Sequence, residues 1–326
     1  MCVVASRRSI PPELYFIVSA LFHYLGPSFA VLLFARVEVL GVAWLRIASA
    51  AVIFALWRRP WRTLAALDSD GRRLLVAWGG VLAVMNCCFY EAIDRLPLAT
   101  VAAIEFLPVI ALAALGARTA RNGGALALAV AGVYLLSHVR LEARLLGLAF
   151  AFANALLFAL YIVLAHRVAR HEAVQGIDGL AASMLIAAVV VTPFGGLQAA
   201  RAISDPVAIL AGTGVGLSSS VIPYVTDQLA MARLERATYS LMVSLLPATA
   251  TVVGLVVLAQ VPSAADLAGV AMVVAGVALH RGAGEGTDRD LRRTRPYAVA
   301  ESAVAESAVA ESAAVAVGGS SATGAG

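Results

Sequence analysis

The sequence has no lysine, little charge of either sign and almost no cysteine. All 24 basic residues of the 326-residue chain are arginines, and charged residues make up 13% of it, against about 25% in soluble domains. The three cysteines, two of them adjacent (Cys87 and Cys88), cannot form a disulfide framework and lack metal-ligand spacing. No basic patch with interleaved aromatic residues is present, so nucleic acid is not expected as a partner. These absences argue against a soluble domain, a disulfide scaffold and a zinc module.

The residues that are present are mostly apolar. Hydrophobic residues form 61% of the chain, and its mean hydropathy is +0.88. They occur in runs of about 17–24 residues, the length that a helix needs to cross the hydrocarbon of a lipid bilayer. The sequence therefore predicts an all-α membrane protein with ten transmembrane helices. The predicted spans are 13–34, 39–57, 74–93, 98–117, 122–137, 145–166, 180–197, 207–230, 237–259 and 264–279.

The arginines predict the orientation of these spans, because cytoplasmic loops carry an excess of basic residues. If the N-terminus is cytoplasmic, only five of the 24 arginines fall outside, and Arg46 lies within the second span. Both termini are therefore predicted to be cytoplasmic, as an even number of spans requires. The five outer arginines are Arg36, Arg95, Arg140, Arg144 and Arg201.

The two halves of the chain share a short motif. Residues 92–100 (AIDRLPLAT) align with residues 230–238 (AMARLERAT), which predicts two five-helix repeats over 13–137 and 138–281. An odd number of spans in each repeat implies that the copies insert with opposite orientation. A cytoplasmic segment, 1–12, precedes them. Residues 282–326, with three tandem Ala-Val-Ala-Glu-Ser pentads, are expected to form a low-complexity cytoplasmic tail.

Two opposite charges lie inside predicted spans. Glu105 follows eight apolar or small residues, and Arg46 lies at a matching depth, each about 10 Å below the outer edge of the hydrocarbon. An ionised group at that depth usually faces protein or a water-filled cavity. Two interpretations remain open. The pair is either a structural salt bridge, or Arg46 holds the carboxylate and Glu105 the ammonium of a zwitterionic substrate.

Other residues are weaker candidates for binding substrate or protons. Asp227 lies near the inner end of the eighth span, close to Pro223 and Tyr224. Pro108 and Pro247 are, with Pro223, candidate hinges, or they are simple kinks. Interhelical hydrogen bonds explain most polar side chains at this depth, and lining of a cavity is the alternative. The side chains concerned are His23, Asn86, Tyr90, Asn154 and Tyr161.

No pattern indicates catalysis. The sequence has no His-Glu-x-x-His and no Gly-x-Ser-x-Gly motif, and it has no carboxylate cluster suited to an intramembrane enzyme. Neither a cofactor nor a metal ion is expected. The sequence carries no signal of oligomeric state.

Four motifs point to a known family: GVAWLR (41–46), AIEFLP (103–108), IPY (222–224) and LMVSLLP (241–247). They resemble the EamA family of the drug/metabolite transporter superfamily, and most of all its threonine/homoserine exporter branch. The sequence departs from that branch at Leu107, a position where members of the branch usually have glycine. It departs again at Leu246 and Gln260, where the branch usually has glutamates.

The resemblance implies a bacterial inner-membrane carrier that exports amino acids or related small metabolites, with protons as the second partner and alternating access as the mechanism. An exporter of cationic drugs or of sugar-linked metabolites is the first alternative. A non-transporting membrane scaffold is the second.

Overall fold

The structure is a computed structural model that describes residues 11–116, 119–138, 145–169, 176–200, 202, 204–231, 242 and 245–279. Throughout this part of the chain the regular structure is helical, without strands, so the predicted all-α class is confirmed. Six helices are long and apolar enough to cross a membrane, and four shorter apolar helices accompany them. The ten-span arrangement in two inverted repeats stays a prediction.

The α-helices are numbered here in chain order, and two π-helical turns are named π1 (Thr192–Gly196) and π2 (Leu217–Val221). The α-helices are α1 Pro12–Leu33, α2 Val39–Arg58, α3 Pro60–Ala66, α4 Ser69–Arg95, α5 Leu98–Gly116, α6 Ala120–His138, α7 Leu145–Ala169, α8 Gly176–Val191, α9 Leu197–Ala200, α10 Pro206–Gly216, α11 Ile222–Met231, α12 Leu246–Leu258 and α13 Ala264–Leu279.

The helices extend further into polar sequence than the apolar runs indicate. α4 begins at Ser69, five residues before the predicted span, because Asp68 caps it by accepting a hydrogen bond from the Gly71 N–H at 2.9 Å. The basic segment before it contains α3, which starts at Pro60, where the missing N–H of proline costs no hydrogen bond. Hydropathy marks only the part of a helix that lies in hydrocarbon. It therefore predicted neither the early start of α4 nor the presence of α3.

Two spans are interrupted by π-helical turns, which the sequence did not predict. π1 separates α8 from α9, π2 separates α10 from α11, and both pack against α2. π-helical turns are rare and occur frequently at functional sites. They direct attention to the face of α2 that carries Arg46.

Close helix contacts are made where two small residues face each other. Gly132 of α6 and Gly269 of α13 are such a pair, since a Cβ on either would lie under 3.0 Å from the carbonyl oxygen of the other. Contacts of this kind hold helices together in lipid, where hydrophobic attraction between them is absent. Many large apolar side chains, including Ile17 and Phe29 of α1, are exposed on the outside of the bundle, as lipid-facing helices require.

Ion pairs lie at the helix ends. Arg58 at the end of α2 contacts Asp178 of α8 at 2.6 Å, and Arg36 contacts Asp205 at 3.1 Å. Asp205 also caps α10 through the N–H groups of Val207 and Ala208. The backbone hydrogen bond from Ala208, and then Arg36, holds the pKa of Asp205 below its ordinary value. These charges lie at the ends of helices rather than within the apolar runs.

Several sequence predictions lie outside the described residues. They include residues 1–10, most of the second copy of the shared motif (232–238) and the tail. The described helices all belong to one unit of the chain, Met1–His280. The domain boundaries therefore remain predictions.

Two glycines of α10 allow a matched test of the contact between α2 and π2. A Cβ at Gly216 would collide with Ser49 Oγ and lie 2.7 Å from the Arg46 carbonyl oxygen, whereas Gly214 has open space around it. We expect Gly216→Ala to lower the melting temperature of the purified protein by about 5 °C, because overpacking a buried contact costs about 1–3 kcal/mol. Gly214→Ala is the control and should leave the melting temperature unchanged or raise it. Equal effects of the two substitutions would contradict the close contact.

Candidate functional site

Arg46 is buried in the middle of the bundle, where its side chain is 7% exposed. Its Nε donates a hydrogen bond to Ser220 Oγ at 3.0 Å, and its Nη2 donates to the Ser219 carbonyl oxygen at 3.1 Å. The guanidinium also lies over the ring of Tyr90, 5.6 Å from its centroid. Polar and π contacts therefore replace the water that this charge loses.

The Ser219 carbonyl is available to Arg46 because of Pro223. Proline has no N–H, so Pro223 cannot donate the α-helical hydrogen bond to the carbonyl four residues earlier, which is that of Ser219. The π-helical turn π2 forms at this point, and α1 closes it from the other side through Ser19, whose Oγ donates to the Pro223 carbonyl at 3.1 Å. One proline thus creates the acceptor that Arg46 uses.

Glu105 lies in α5, where its side chain is also 7% exposed. Its Oε1 accepts a hydrogen bond from Nδ2 of Asn154 in α7 at 3.2 Å. The residues before and after it, Ile104 and Phe106, are buried in the apolar core. Pro108, inside the same helix, leaves the Ile104 carbonyl without its α-helical donor. The carboxyl group is therefore enclosed by protein and touched by one neutral donor.

Arg46 and Glu105 are close but do not touch. Arg46 is near enough for its charge to act on Glu105, yet the ion pairs among the described residues join other groups. Each of the two charges instead has neutral hydrogen-bonding partners of its own. A direct salt bridge is thus absent from this conformation.

Four buried polar atoms around these two charges make no hydrogen bond of good geometry among the described residues, although the Tyr90 hydroxyl lies within reach of Arg46 and Ser219. Burial of such groups without partners is rare in folded proteins and often marks the place of a water molecule or a ligand. Tyr24 lies within electrostatic range of Glu105, and the Tyr90 hydroxyl faces Arg46 and Ser219. The four atoms are Tyr24 Oη, Tyr90 Oη, Asn154 Oδ1 and Ser219 Oγ.

These groups divide into two poles with different chemistry. The cationic pole, Arg46 with the Tyr90 hydroxyl, can donate hydrogen bonds to an anion. The anionic pole, Glu105 with the Asn154 amide oxygen, can accept them from a cation. A small molecule that carries both charges would satisfy both poles at once.

The structure brings some of the sequence candidates to this site. Tyr90 lies beneath Arg46, and His23 of α1 lies close enough to be affected by the Arg46 charge. The His23 ring contacts Tyr24 edge-on, with 5.3 Å between the ring centroids. His23 and Tyr90 thus join Arg46 and Glu105, while Tyr24, Ser219 and Ser220 had not been singled out.

Other candidates lie elsewhere or have another role. Asn86 donates to the Leu82 carbonyl of its own helix at 2.8 Å. Tyr224 packs against a cluster of buried apolar side chains around α4 and α8. Tyr161 stacks among Trp78 and Phe158. The backbone of Asp227 lies in α11, but its side chain is outside the described residues.

The three candidate hinge prolines differ in position. Pro108 is inside α5, whereas Pro223 and Pro247 lie in the first turns of α11 and α12. A proline in a first turn interrupts no hydrogen bond of its own helix. Among these prolines, Pro108 alone breaks the bonding within a helix, and Pro223 acts on the turn that precedes its helix.

A separate cavity of about 140 Å³ lies at the N-terminal end of α5. Its lining includes Thr100, Gln260 and Asp266, and Gln260 Oε1 accepts a hydrogen bond from the first N–H of α5, that of Leu98, at 3.1 Å. Ser263 caps α13, because its Oγ accepts a hydrogen bond from the Asp266 N–H at 3.1 Å, and Asp266 Oδ2 accepts one from the Ser263 N–H at 2.9 Å. Gln260, one of the departures from the related branch, therefore joins the end of α12 to the start of α5.

No group of three potential metal ligands occurs in the part of the chain that the structure describes. The arrangement is a bundle of apolar helices with a small, enclosed polar site that carries one charge of each sign. That combination defines a multi-pass membrane protein of the transporter class.

Comparison with known proteins identifies the family. Residues 145–281 match the EamA-like transporter family. The chain is 32% identical to the threonine/homoserine exporter RhtA of Escherichia coli (strain K12) over 257 residues, which are 77% of this chain and 84% of that protein. It is 30% identical to RhtA of Salmonella typhimurium (strain SL1344) over 280 residues, which are 83% and 92% of the two chains. The chain therefore belongs to the EamA-like transporter family, and it is a transporter rather than an enzyme.

A solved crystal structure supports the fold alone. It covers 86% of this chain and 98% of its own length with a TM-score of 0.56 and 21% sequence identity.

Proposed function

We propose that this chain is a bacterial inner-membrane secondary transporter that exports amino acids or related small metabolites by proton antiport with alternating access. One observation carries the proposal. Two opposite charges, Arg46 and Glu105, are buried at one site without contacting each other, and unsatisfied polar atoms surround them. The names of the related threonine/homoserine exporters support amino acids as the class of cargo.

The two poles match the two ends of an amino acid. Arg46 takes the carboxylate, because its planar guanidinium can donate two parallel hydrogen bonds. The Tyr90 hydroxyl adds a third donor. Glu105 takes the ammonium group. Because Arg46 and Glu105 are already removed from water, a zwitterion that binds them displaces little of their hydration. It also makes hydrogen bonds that the empty site lacks.

Proton exchange occurs at Glu105. Desolvation favours the neutral form of a carboxyl group, and a bound ammonium favours the charged form. When the site faces outward, Glu105 takes up a proton and releases the cargo. When the site faces inward, it loses the proton and binds cargo again. The proton gradient across the membrane thereby drives export.

Flux in proteoliposomes tests the proposed activity. Vesicles that contain the purified chain and labelled threonine should release the label faster when the outside is more acidic than the inside. Release should collapse when an uncoupler removes the pH difference. A scaffold would move nothing under any gradient, and a carrier of other cargo would fail with threonine yet respond in a panel of labelled metabolites.

The proposed topology places ten spans between two cytoplasmic ends. In a variant without native cysteines, a cysteine at Ala264, which is exposed at the start of α13, should react with an impermeant thiol reagent added outside intact cells. A cysteine at Arg62, which is exposed in α3, should react only after the cells are opened. Labelling of both from outside, or of the second alone, would contradict the inverted repeats.

A further inference from the structure

The amide oxygen of Asn154 is a hydrogen-bond acceptor that has no role in the proposed transport mechanism. The side chain of Asn154 is 1% exposed, and its Nδ2 donates to Glu105 Oε1. Its Oδ1 has no hydrogen-bond partner among the residues that the structure describes. A charged carboxylate only accepts hydrogen bonds, so the amide must turn its NH₂ group toward Glu105. The orientation of the amide oxygen is therefore set by Glu105.

This orientation places two acceptors side by side. The amide oxygen is bonded to the same carbon as the nitrogen that touches Glu105, so it lies next to the carboxylate. A primary ammonium has three N–H donors and can reach both acceptors at once, whereas each methyl group on the nitrogen removes one donor. A quaternary ammonium has none left.

We infer that Asn154 makes the site selective for primary amines, by acting with Glu105 as a two-acceptor seat for the ammonium group of the substrate. This inference rests on the proposed function and deepens it. Glu105 supplies the charge, which attracts any cation, while Asn154 supplies an acceptor that only an N–H donor can use. Discrimination among cations therefore comes from the amide rather than from the carboxylate.

Other polar atoms near Glu105 are less suited to this role. The Tyr24 hydroxyl can donate as well as accept, so it does not separate an amine from a methylated amine as sharply. Ser219 lies at the cationic pole with Arg46. Asn154 Oδ1 is thus the one acceptor-only atom among the four unpartnered atoms of the site.

The experiment compares binding of threonine and its N,N,N-trimethyl derivative to the full chain in detergent, by calorimetry. The parent protein should bind the trimethyl derivative at least tenfold more weakly, because hydrogen bonds to a charged group are worth about that factor. Asn154→Leu, which keeps the volume and removes the amide, should weaken threonine about tenfold and leave the trimethyl derivative nearly unchanged. Ser183→Ala, which removes a buried hydroxyl that bonds within α8, is the control and should change neither.

The outcomes separate this inference from the proposed function. If the parent protein binds threonine but the Asn154→Leu variant keeps the same ratio between the two ligands, the selectivity does not come from Asn154. If the parent protein binds both ligands equally, the two-acceptor seat is wrong even if the variant cannot be purified. If the parent protein binds no amino acid, the proposed function fails, and this inference fails with it.

Discussion

Glu105→Gln abolishes the efflux that a pH gradient drives, while some exchange of labelled for unlabelled substrate at equal pH survives, at a lower apparent affinity. Glutamine keeps the shape of the side chain and can still accept the hydrogen bond that Asn154 donates, but it cannot take up or lose a proton. A site that cannot titrate can still bind and release cargo on both sides. It cannot convert proton movement into net export.

The measurement is release of labelled threonine from proteoliposomes, with and without an acidic exterior. Gradient-driven release should fall to the level of protein-free vesicles. Glu91→Gln is the matched control, because Glu91 is a half-buried carboxylate near the C-terminal end of the neighbouring α4, paired with Arg95 at 2.6 Å. That variant should keep both activities.

A different result would assign the coupling of proton movement to export to another residue. If Glu105→Gln keeps the parent rate and its dependence on the gradient, the proton is carried by another group, and Asp227 becomes the next candidate. If the variant does not accumulate in the membrane while the Glu91 control does, the carboxylate is chiefly structural.

Arg46→Ala should weaken apparent affinity for threonine about a hundredfold, since losing one partner of a buried charged contact costs about 2–5 kcal/mol. Arg46→Lys keeps the charge but loses the paired N–H donors, so its effect should be intermediate. Arg36→Ala is the control. Arg36 lies in an exposed ion pair just before α2, and such pairs contribute little.

A second ligand shows which end of the substrate Arg46 holds. Threoninol has the same amine and side chain as threonine but no carboxylate. Arg46→Ala should leave its binding nearly unchanged, so that the variant no longer prefers threonine over threoninol. If the variant still binds threonine with the parent affinity, Arg46 is not the carboxylate anchor, and a carrier of cationic compounds becomes the better description.

Much of the candidate site could be predicted from the sequence because charges inside apolar runs are conspicuous. The free energy of transferring arginine or glutamate into hydrocarbon singles out Arg46 and Glu105 without any structure. Tyr90 and His23 were found in the same way, as polar rings within apolar spans. Asn86 is also a polar residue within an apolar span, yet its side chain donates a hydrogen bond to a carbonyl of its own helix.

The groups that Arg46 and Glu105 contact could not be predicted in that way. Ser220 is 174 residues from Arg46, and Asn154 is 49 residues from Glu105. Serine and asparagine are common in spans and carry no large transfer penalty, so hydropathy gives them little weight. One signal in the sequence did point to this part of the site, because a proline within a span frees a backbone carbonyl. Pro223 lies four residues after Ser219, whose carbonyl Arg46 binds.

The sequence by itself determined that this protein lies in a lipid bilayer. It also determined the approximate positions of the helices and the two charged residues that lie inside them. These properties follow from composition and from spacing along one chain, since each residue carries its own cost of entering lipid. Tertiary structure decided that Arg46 and Glu105 stay apart and that π2 holds one of them and α7 the other. It also left four buried polar atoms near them without a hydrogen-bond partner among the described residues. Such choices depend on how helices rotate and pack against one another, and the hydrophobicity of a single segment does not encode that.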